Sequence, residues 1–224
     1  MRVVCISDTH LRHDFPVPTG DILIHAGDLT LKGDEQELEK ACHWLDSLDF
    51  RYTVVIAGNH DWLFQREPEE AQRIAAFYGL FYLQDEEVNI NGLKIYGTPW
   101  QPNFCNWAFN VDTEGELADH YSNIPLDTDI LITHCPPRGT LDQAIRSHHT
   151  MFTEPGDVMY ENVGSTSLHD VWRMIFPRLH VFGHIHEAHG VKQYEFSDET
   201  RYQVNASICD ERYRPVHKPV VIDL

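Results

Sequence analysis

Five times along this chain a short apolar run stops abruptly and hands over to aspartate, asparagine or histidine. Val3 to Ile6 ends in Ser7-Asp8-Thr9-His10, Asp21 to His25 in Ala26-Gly27-Asp28, and Thr53 to Ala57 in Gly58-Asn59-His60-Asp61. Asp129 to Thr133 ends in His134, and Leu179 to Phe182 in Gly183-His184-Ile185-His186. Runs this short, β-branched and continuously apolar suit strands covered on both faces, as in the parallel sheets of α/β proteins. Ligands of open α/β sheets bind in the crevice beyond the carboxyl ends of the strands. The recurrence therefore delivers polar, metal-competent side chains to one edge, with Gly58 letting the backbone turn as the central strand ends.

The connections agree with that layout. After Asp34, an acceptable N-cap, Leu38, Ala41, Cys42 and Leu45 recur at helical spacing and predict a crossover helix over Glu35 to Ser47. Pro68 precedes a second helix over Glu69 to Tyr78, with Ala71, Ile74, Ala75 and Phe77 as its apolar residues. Further helices are expected over Glu114 to Tyr121 and Ser167 to Ile175. Val88 to Tyr96 alternates apolar and polar residues around Asn91-Gly92, the strongest short hairpin signal. Val191 to Phe196 with Arg201 to Asn205 reads as a closing hairpin, and Val220 to Ile222 as a last strand. With 224 residues and 42% hydrophobic content the chain can bury one substantial core. We read residues 1–224 as a single domain, with Pro136 to Val163 a long loop over the site.

Composition narrows the function. Arg2 to Ile6 begins a strand at once, leaving no secretory signal, and no apolar run approaches the roughly 18 residues that span a membrane. A soluble, cytoplasmic protein without a membrane partner is expected. Five cysteines with no C-x-x-C pair read as reduced core residues rather than a disulfide framework. Asp and Glu outnumber Lys and Arg 35 to 17, and a formal charge of −18 repels long polyanions such as duplex nucleic acid. Cations bound by the carboxylates would reduce that deficit locally.

Singly, a strand-end aspartate is commonly a turn former, and a lone histidine is commonly satisfied in the structure. Together, in order and each after an apolar strand, Asp8-x-His10, Gly27-Asp28, Gly58-Asn59-His60-Asp61, His134 and Gly183-His184-x-His186 are another matter. On these blocks the chain resembles the calcineurin-like metallophosphoesterase superfamily over nearly its whole length. Gly97-Thr98-Pro99-Trp100-Gln101-Pro102, Ile132-Thr133-His134 with Pro136-Pro137, and Val181 to Glu187 bring it nearest to the metallophosphoesterase-domain-containing group, related to class III cyclic nucleotide phosphodiesterases. Some members of that group lack the first histidine of the last block, whereas His184 is present here. Cys135 stands where the group often has glycine.

The resemblance implies a four-layer α/β/β/α sandwich of two mixed sheets flanked by helices. It also implies one metal ion on Asp8, His10 and His186 and a second on Asn59, His134 and His184, with Asp28 bridging ions about 3.5–4 Å apart. Two divalent or trivalent ions are expected, manganese first, iron or zinc otherwise, because carboxylate, imidazole and amide ligands without thiolate suit these metals. Such a pair lowers the pKa of bound water to give a hydroxide nucleophile and polarises a phosphoryl oxygen. His60 resembles the family's general acid, and Asp61 is expected to hold it protonated.

The expected activity is hydrolysis of small phosphodiesters, cyclic nucleotides first. A phosphomonoesterase for nucleotides or phosphoproteins, and a non-catalytic interaction module keeping the fold, are the alternatives. Asn59 and His60 would also meet the substrate. His13, Asn103 and Arg138 are candidates for a phosphate oxygen, since a guanidinium forks onto phosphate. In the loop Thr98 to Asn110, Phe104 and Trp107 are the candidates for stacking on a base, although aromatic residues in such loops commonly pack the loop down. His148, His149 and Met151 read as solvated or lid residues, and His25, His43, His169 and His180 as structural.

Overall fold

Alternate side chains of each central strand enter opposite apolar layers, and this alternation builds the architecture. In the computed structural model, which describes residues 1–146 and 159–224, β1 (Arg2–Ile6), β2 (Ile22–Ala26), β3 (Tyr52–Ile56) and β4 (Phe81–Tyr82) run parallel. β15 (Val220–Asp223) closes this sheet antiparallel to β1. Val4, Ile6, Leu23 and Val55 meet Leu38, Leu45, Phe64 and Ile74 of the helices α1 (Glu35–Asp46), α2 (Trp62–Arg66) and α3 (Pro68–Phe77). Val3, Cys5, Ile24 and Ile56 point the other way, onto a second sheet.

In that sheet β6 (Leu93–Thr98), β9 (Ile130–Thr133), β12 (Leu179–Phe182) and β14 (Thr200–Asn205) are parallel. Antiparallel β5 (Glu86–Ile90) and β13 (Gly190–Glu195) form its edges. Its outer face is covered by α4 (Glu114–Tyr121) and α5 (Thr166–Ile175), where Tyr96 and Leu131 pack on Leu117, Tyr121, Leu168 and Ile175. The expected four-layer sandwich of two mixed sheets is the architecture.

Local signals act where the sequence places them. The Asp34 side chain accepts the Glu37 N–H, and Thr113 with Glu116 forms a reciprocal capping box on α4. Asn91 and Gly92 both take positive φ, as a two-residue hairpin of the favoured twist requires. Two readings need correction, and one helix went unread. Phe77 is 78% exposed, because it lies roughly 110° around α3 from the buried Ala71, Ile74 and Ala75 stripe. The helix α2 is too short to show a period and has no signature in the sequence. The stretch Pro136 to Val163 contains a ribbon of β10 (Gln143–Arg146) and β11 (Met159–Asn162), whose pairing only with itself gives no buried run to read. A smaller pair, β7 (Gln101–Pro102) and β8 (Asn110–Val111), ties the aromatic loop. His148, His149 and Met151 lie outside the described residues. No helix among the described residues is long and apolar enough to cross a membrane.

The carboxyl ends of β1, β2, β3, β9 and β12 meet where the two sheets join. The Ile208 N–H donates to the Ser7 carbonyl and the Gly183 N–H to the His134 carbonyl. Asp8, His10, Asp28 and His184 all take positive φ there, and non-glycine residues hold that conformation only where the surroundings over-determine it.

Behind this edge, His25 is fully buried, and burial pushes its imidazole down to about 3 despite nearby Asp8 and Asp28. A histidine depressed in the folded state resists protonation that the unfolded chain accepts below about pH 6.5, so stability is lost as pH falls through that window. Metal-free His25→Gln is expected to show a shallower decline than wild type between pH 6.5 and 4, by roughly 1.4 kcal/mol per pH unit. Urea midpoints in EDTA measure it, and parallel pH profiles would mean that His25 is not held neutral.

Candidate metal centre

Asp8 leaves β1 with both oxygens engaged. The His184 N–H donates to Oδ1 and Oδ2 at 3.1 and 3.0 Å, and Ser207 Oγ donates to Oδ2 at 2.8 Å. Gly183 is what lets the last block approach so closely, since a Cβ there would lie 2.0 Å from Asp8 Oδ2 and 2.2 Å from Ser7 Oγ. Gly183→Ala is accordingly expected to displace the carboxylate and cost about 1–3 kcal/mol, the usual range for overpacking. An unchanged urea midpoint in EDTA would show that the carboxylate has room to spare.

Four imidazoles converge from different strands. Each places Nδ1 on a backbone carbonyl: His10 on Thr30 at 3.1 Å, His60 on Leu31 at 2.7 Å, His134 on Ala26 at 2.9 Å and His186 on Asp210 at 2.9 Å. Only an N–H can bond to a carbonyl, so every Nδ1 is a donor and every Nε2 is left for the centre. There, Nε2 of His10 and of His186 face each other at 3.3 Å, and His186 Nε2 lies 3.4 Å from Asp8 Oδ1. Asp28 Oδ2 is the common point, 3.7 Å from His10 Nε2, 3.5 Å from His134 Nε2 and 4.0 Å from His60 Nε2. Asn59 Oδ1 stands 3.0 Å from His134 Nε2.

Bases gathered in this way require positive charge among them. Burial by itself raises the Asp28 carboxyl, but the imidazoles of His134, His60 and His10 outweigh it and hold the carboxylate well below its usual range. Asp8, raised by burial, is likewise held low by His186 and His134. Burial lowers His10 to about 4 and His184 to about 3. For His134 and His186 it is outweighed by Asp28 and by Asp8 respectively, which bring each to about 9. Without a metal the positive charge is thus carried as protons on two imidazoles, and a divalent cation competes for the same lone pairs by expelling them. Among the described residues, three groups of carboxylate and imidazole atoms have mutual distances within 4.8 Å: Asp8, His10, His186; His10, Asp28, His60; and Asp8, Asp28, His134. Carboxylate, imidazole and amide donors with ordered Nδ1 partners fit divalent ions.

Asp61 differs from expectation. It does not pair with the His60 ring, and instead accepts from the N–H groups of Gly58, Leu29 and Thr30 and from the Thr30 hydroxyl. Its carboxylate ties the β2 and β3 loops together, and the Leu31 carbonyl takes the His60 Nδ1–H. Burial and Asp28 push Asp61 up to about 6, against the pull of its donors.

The substrate candidates separate into groups. Trp107 packs on His60 with ring centroids 3.8 Å apart, and Phe104, 51% exposed, stands edge-on to His184 at 5.6 Å. A cavity of about 420 Å³ opens beside His184, lined in part by Asn103, Phe104 and Arg138. Within it Asn103 donates to Asp112, and Arg138 donates to the Asn162 carbonyl. His13 is elsewhere, stacked on Trp44 of α1 at 4.1 Å. Trp100 and Phe109 pack the loop down, Trp100 by donating to Asp85 and stacking on His120. Cys135 keeps negative φ, so its loop does not need the glycine of the related group.

Residues 1–188 match the calcineurin-like phosphoesterase family. This chain belongs to that family. It is 42% identical to the Homo sapiens metallophosphoesterase domain-containing protein 1, across all of this chain and 71% of the relative. To a UPF0046 protein of Caenorhabditis elegans it is 35% identical, across 99% of this chain and 74% of the relative. The crystal structure of TT1561 of Thermus thermophilus shares the fold, with a TM-score of 0.56 at 14% identity over 91% of this chain and 88% of the other. Membership and the clustered carboxylates and imidazoles make this a metal-dependent phosphoester hydrolase.

One residue at the site of this calcineurin-like phosphoesterase has no signal in the sequence. Tyr213, at positive φ, sets its ring against His10 at 4.6 Å and near His60 and His186 at 5.9 and 6.0 Å. Its turn is braced by Arg12, which donates to the Tyr213 carbonyl, and by the Asp210–Arg214 pair. No apolar strand precedes it. Ser207 lies in the stretch Asn205-Ala206-Ser207 after β14, where Asn205 accepts from the Ser207 amide and donates to the Ile185 carbonyl.

Proposed function

We propose that the protein hydrolyses small phosphodiesters at a dinuclear centre, with cyclic nucleotides the first substrates to test. Asp8, His10 and His186 would hold one ion, Asn59, His134 and His184 the other, and Asp28 both, with manganese the first candidate. The observation that carries the reading is the convergence of anchored Nε2 atoms on Asp28 Oδ2, because a shared carboxylate oxygen is what a paired site needs. Bound there, divalent ions activate water and polarise a phosphoryl oxygen.

The chain's own groups supply the rest. With its Nδ1–H held by the Leu31 carbonyl at 2.7 Å, the His60 imidazolium has one proton to give, at Nε2, and it goes to the leaving oxygen. Trp107 against one side of the ring limits its rotation. The cavity beside His184 takes the organic part of the ester, with Phe104 offering a face for stacking and Arg138 a guanidinium for a non-bridging oxygen. Comparison of bis-p-nitrophenyl phosphate with p-nitrophenyl phosphate in Mn²⁺ tests the reading. The diester is expected to be preferred, and preference for the monoester would favour a phosphomonoesterase.

A further inference from the structure

Behind the centre stands a histidine that the chemistry above leaves unused. His180 of β12 is fully buried, and its Nε2 lies 2.9 Å from Thr133 Oγ1 at the end of the neighbouring strand β9. That hydroxyl donates to the Cys135 carbonyl at 2.7 Å. A hydroxyl has one hydrogen to give, so the proton between the two side chains sits on His180 Nε2, and the imidazole is the donor. The resulting chain of bonds spans His134, because Thr133 precedes it and Cys135 follows it. His180 Nδ1 is buried with no partner among the described residues. A position that needed only volume would be filled at less cost by leucine or phenylalanine, since a buried unpaired nitrogen is unfavourable. The donor at Nε2 accounts for the histidine.

A second histidine–threonine pair stands in the first sheet. His25 of β2, also fully buried and with no partner for Nδ1 among the described residues, places Nε2 2.8 Å from Thr9 Oγ1, and Thr9 stands between Asp8 and His10. We infer that His180 is a positioning residue for His134, and through it for the ion shared by His134, Asn59 and His184, while His25 serves the Asp8 and His10 side. The inference rests on the dinuclear reading above.

Mn²⁺ titration of the metal-free full-length chain by calorimetry, together with its melting temperature in EDTA, tests it without recourse to turnover. Wild type should take up two ions. His180→Leu should weaken one site by about 10–100-fold, the usual cost of losing a group that orients a ligand, and leave the other unchanged. His180→Gln, whose amide nitrogen reaches where the imidazole Nε2 stands, should restore most of that affinity. Thr133→Val, nearly isosteric and independent of whether His180→Leu folds, should reproduce the loss at the same site. Unchanged affinities in His180→Leu and Thr133→Val would overturn the positioning role, as would equal weakening of both sites with a lowered apo melting temperature. Fewer than two ions in wild type would instead overturn the dinuclear reading.

Discussion

His60→Ala is expected to keep its metal ions yet hydrolyse alkyl phosphodiesters about 10²-fold more slowly or worse, the usual loss when a positioned acid is removed. Bis-p-nitrophenyl phosphate should lose far less, because p-nitrophenolate leaves with little need of a proton. The difference follows from geometry. The Leu31 carbonyl holds Nδ1–H, and Nε2 lies 4.0 Å from Asp28 Oδ2, beside the centre. A group whose Nε2 stands at this distance can hand over a proton at the reacting bond. Equal losses for both kinds of leaving group, with metal content intact, would reduce His60 to a buttress.

Asp28→Ala should strip the protein of both ions together. Its Oδ2 lies within 4.0 Å of Nε2 of three imidazoles, whereas Oδ1 accepts the His60 N–H at 2.8 Å. A carboxylate shared in this way contributes to each site, so its loss should weaken each by on the order of 10²-fold or more. Metal content after equilibrium dialysis against Mn²⁺ measures the effect. One ion retained at full occupancy would remove the bridging role and leave Asp28 with a single site.

The two experiments address different layers of the same centre. Asp28 concerns the gathering of charge, and His60 concerns a proton delivered once charge is in place. Gly183→Ala bears on how closely the last block can approach Asp8, and His25→Gln on the neutral imidazole beneath. Together they ask whether the strand ends are held in place by the packing of two sheets or by the ions themselves.

Several parts of this arrangement were legible along the chain. The strand-end blocks were visible because an apolar run and its turn are neighbours in sequence. The Asn91-Gly92 hairpin and the Thr113 capping box are satisfied within a few residues of themselves. Phe77 shows where that kind of reading fails, since an apolar residue off the buried stripe of α3 is exposed whatever its chemistry. Asp61 shows it too: adjacency to His60 predicts a ring partner, while the donors that claim its carboxylate come from Gly58 and from Leu29 and Thr30 on another loop.

By itself the sequence determined which residues end the strands, that those strands are buried on both faces, and therefore that carboxylates, an amide and imidazoles assemble at one edge of parallel sheets. Only the tertiary structure decided which atoms meet. His10 Nε2 opposes His186 Nε2, Ser207 bonds to Asp8 and Tyr213 covers three imidazoles across separations such as 176 and 199 residues. The reason is physical: period and propensity are properties of neighbouring residues, but the direction in which a buried base points is set by the carbonyl that its other nitrogen reaches. That carbonyl belongs to another strand or loop.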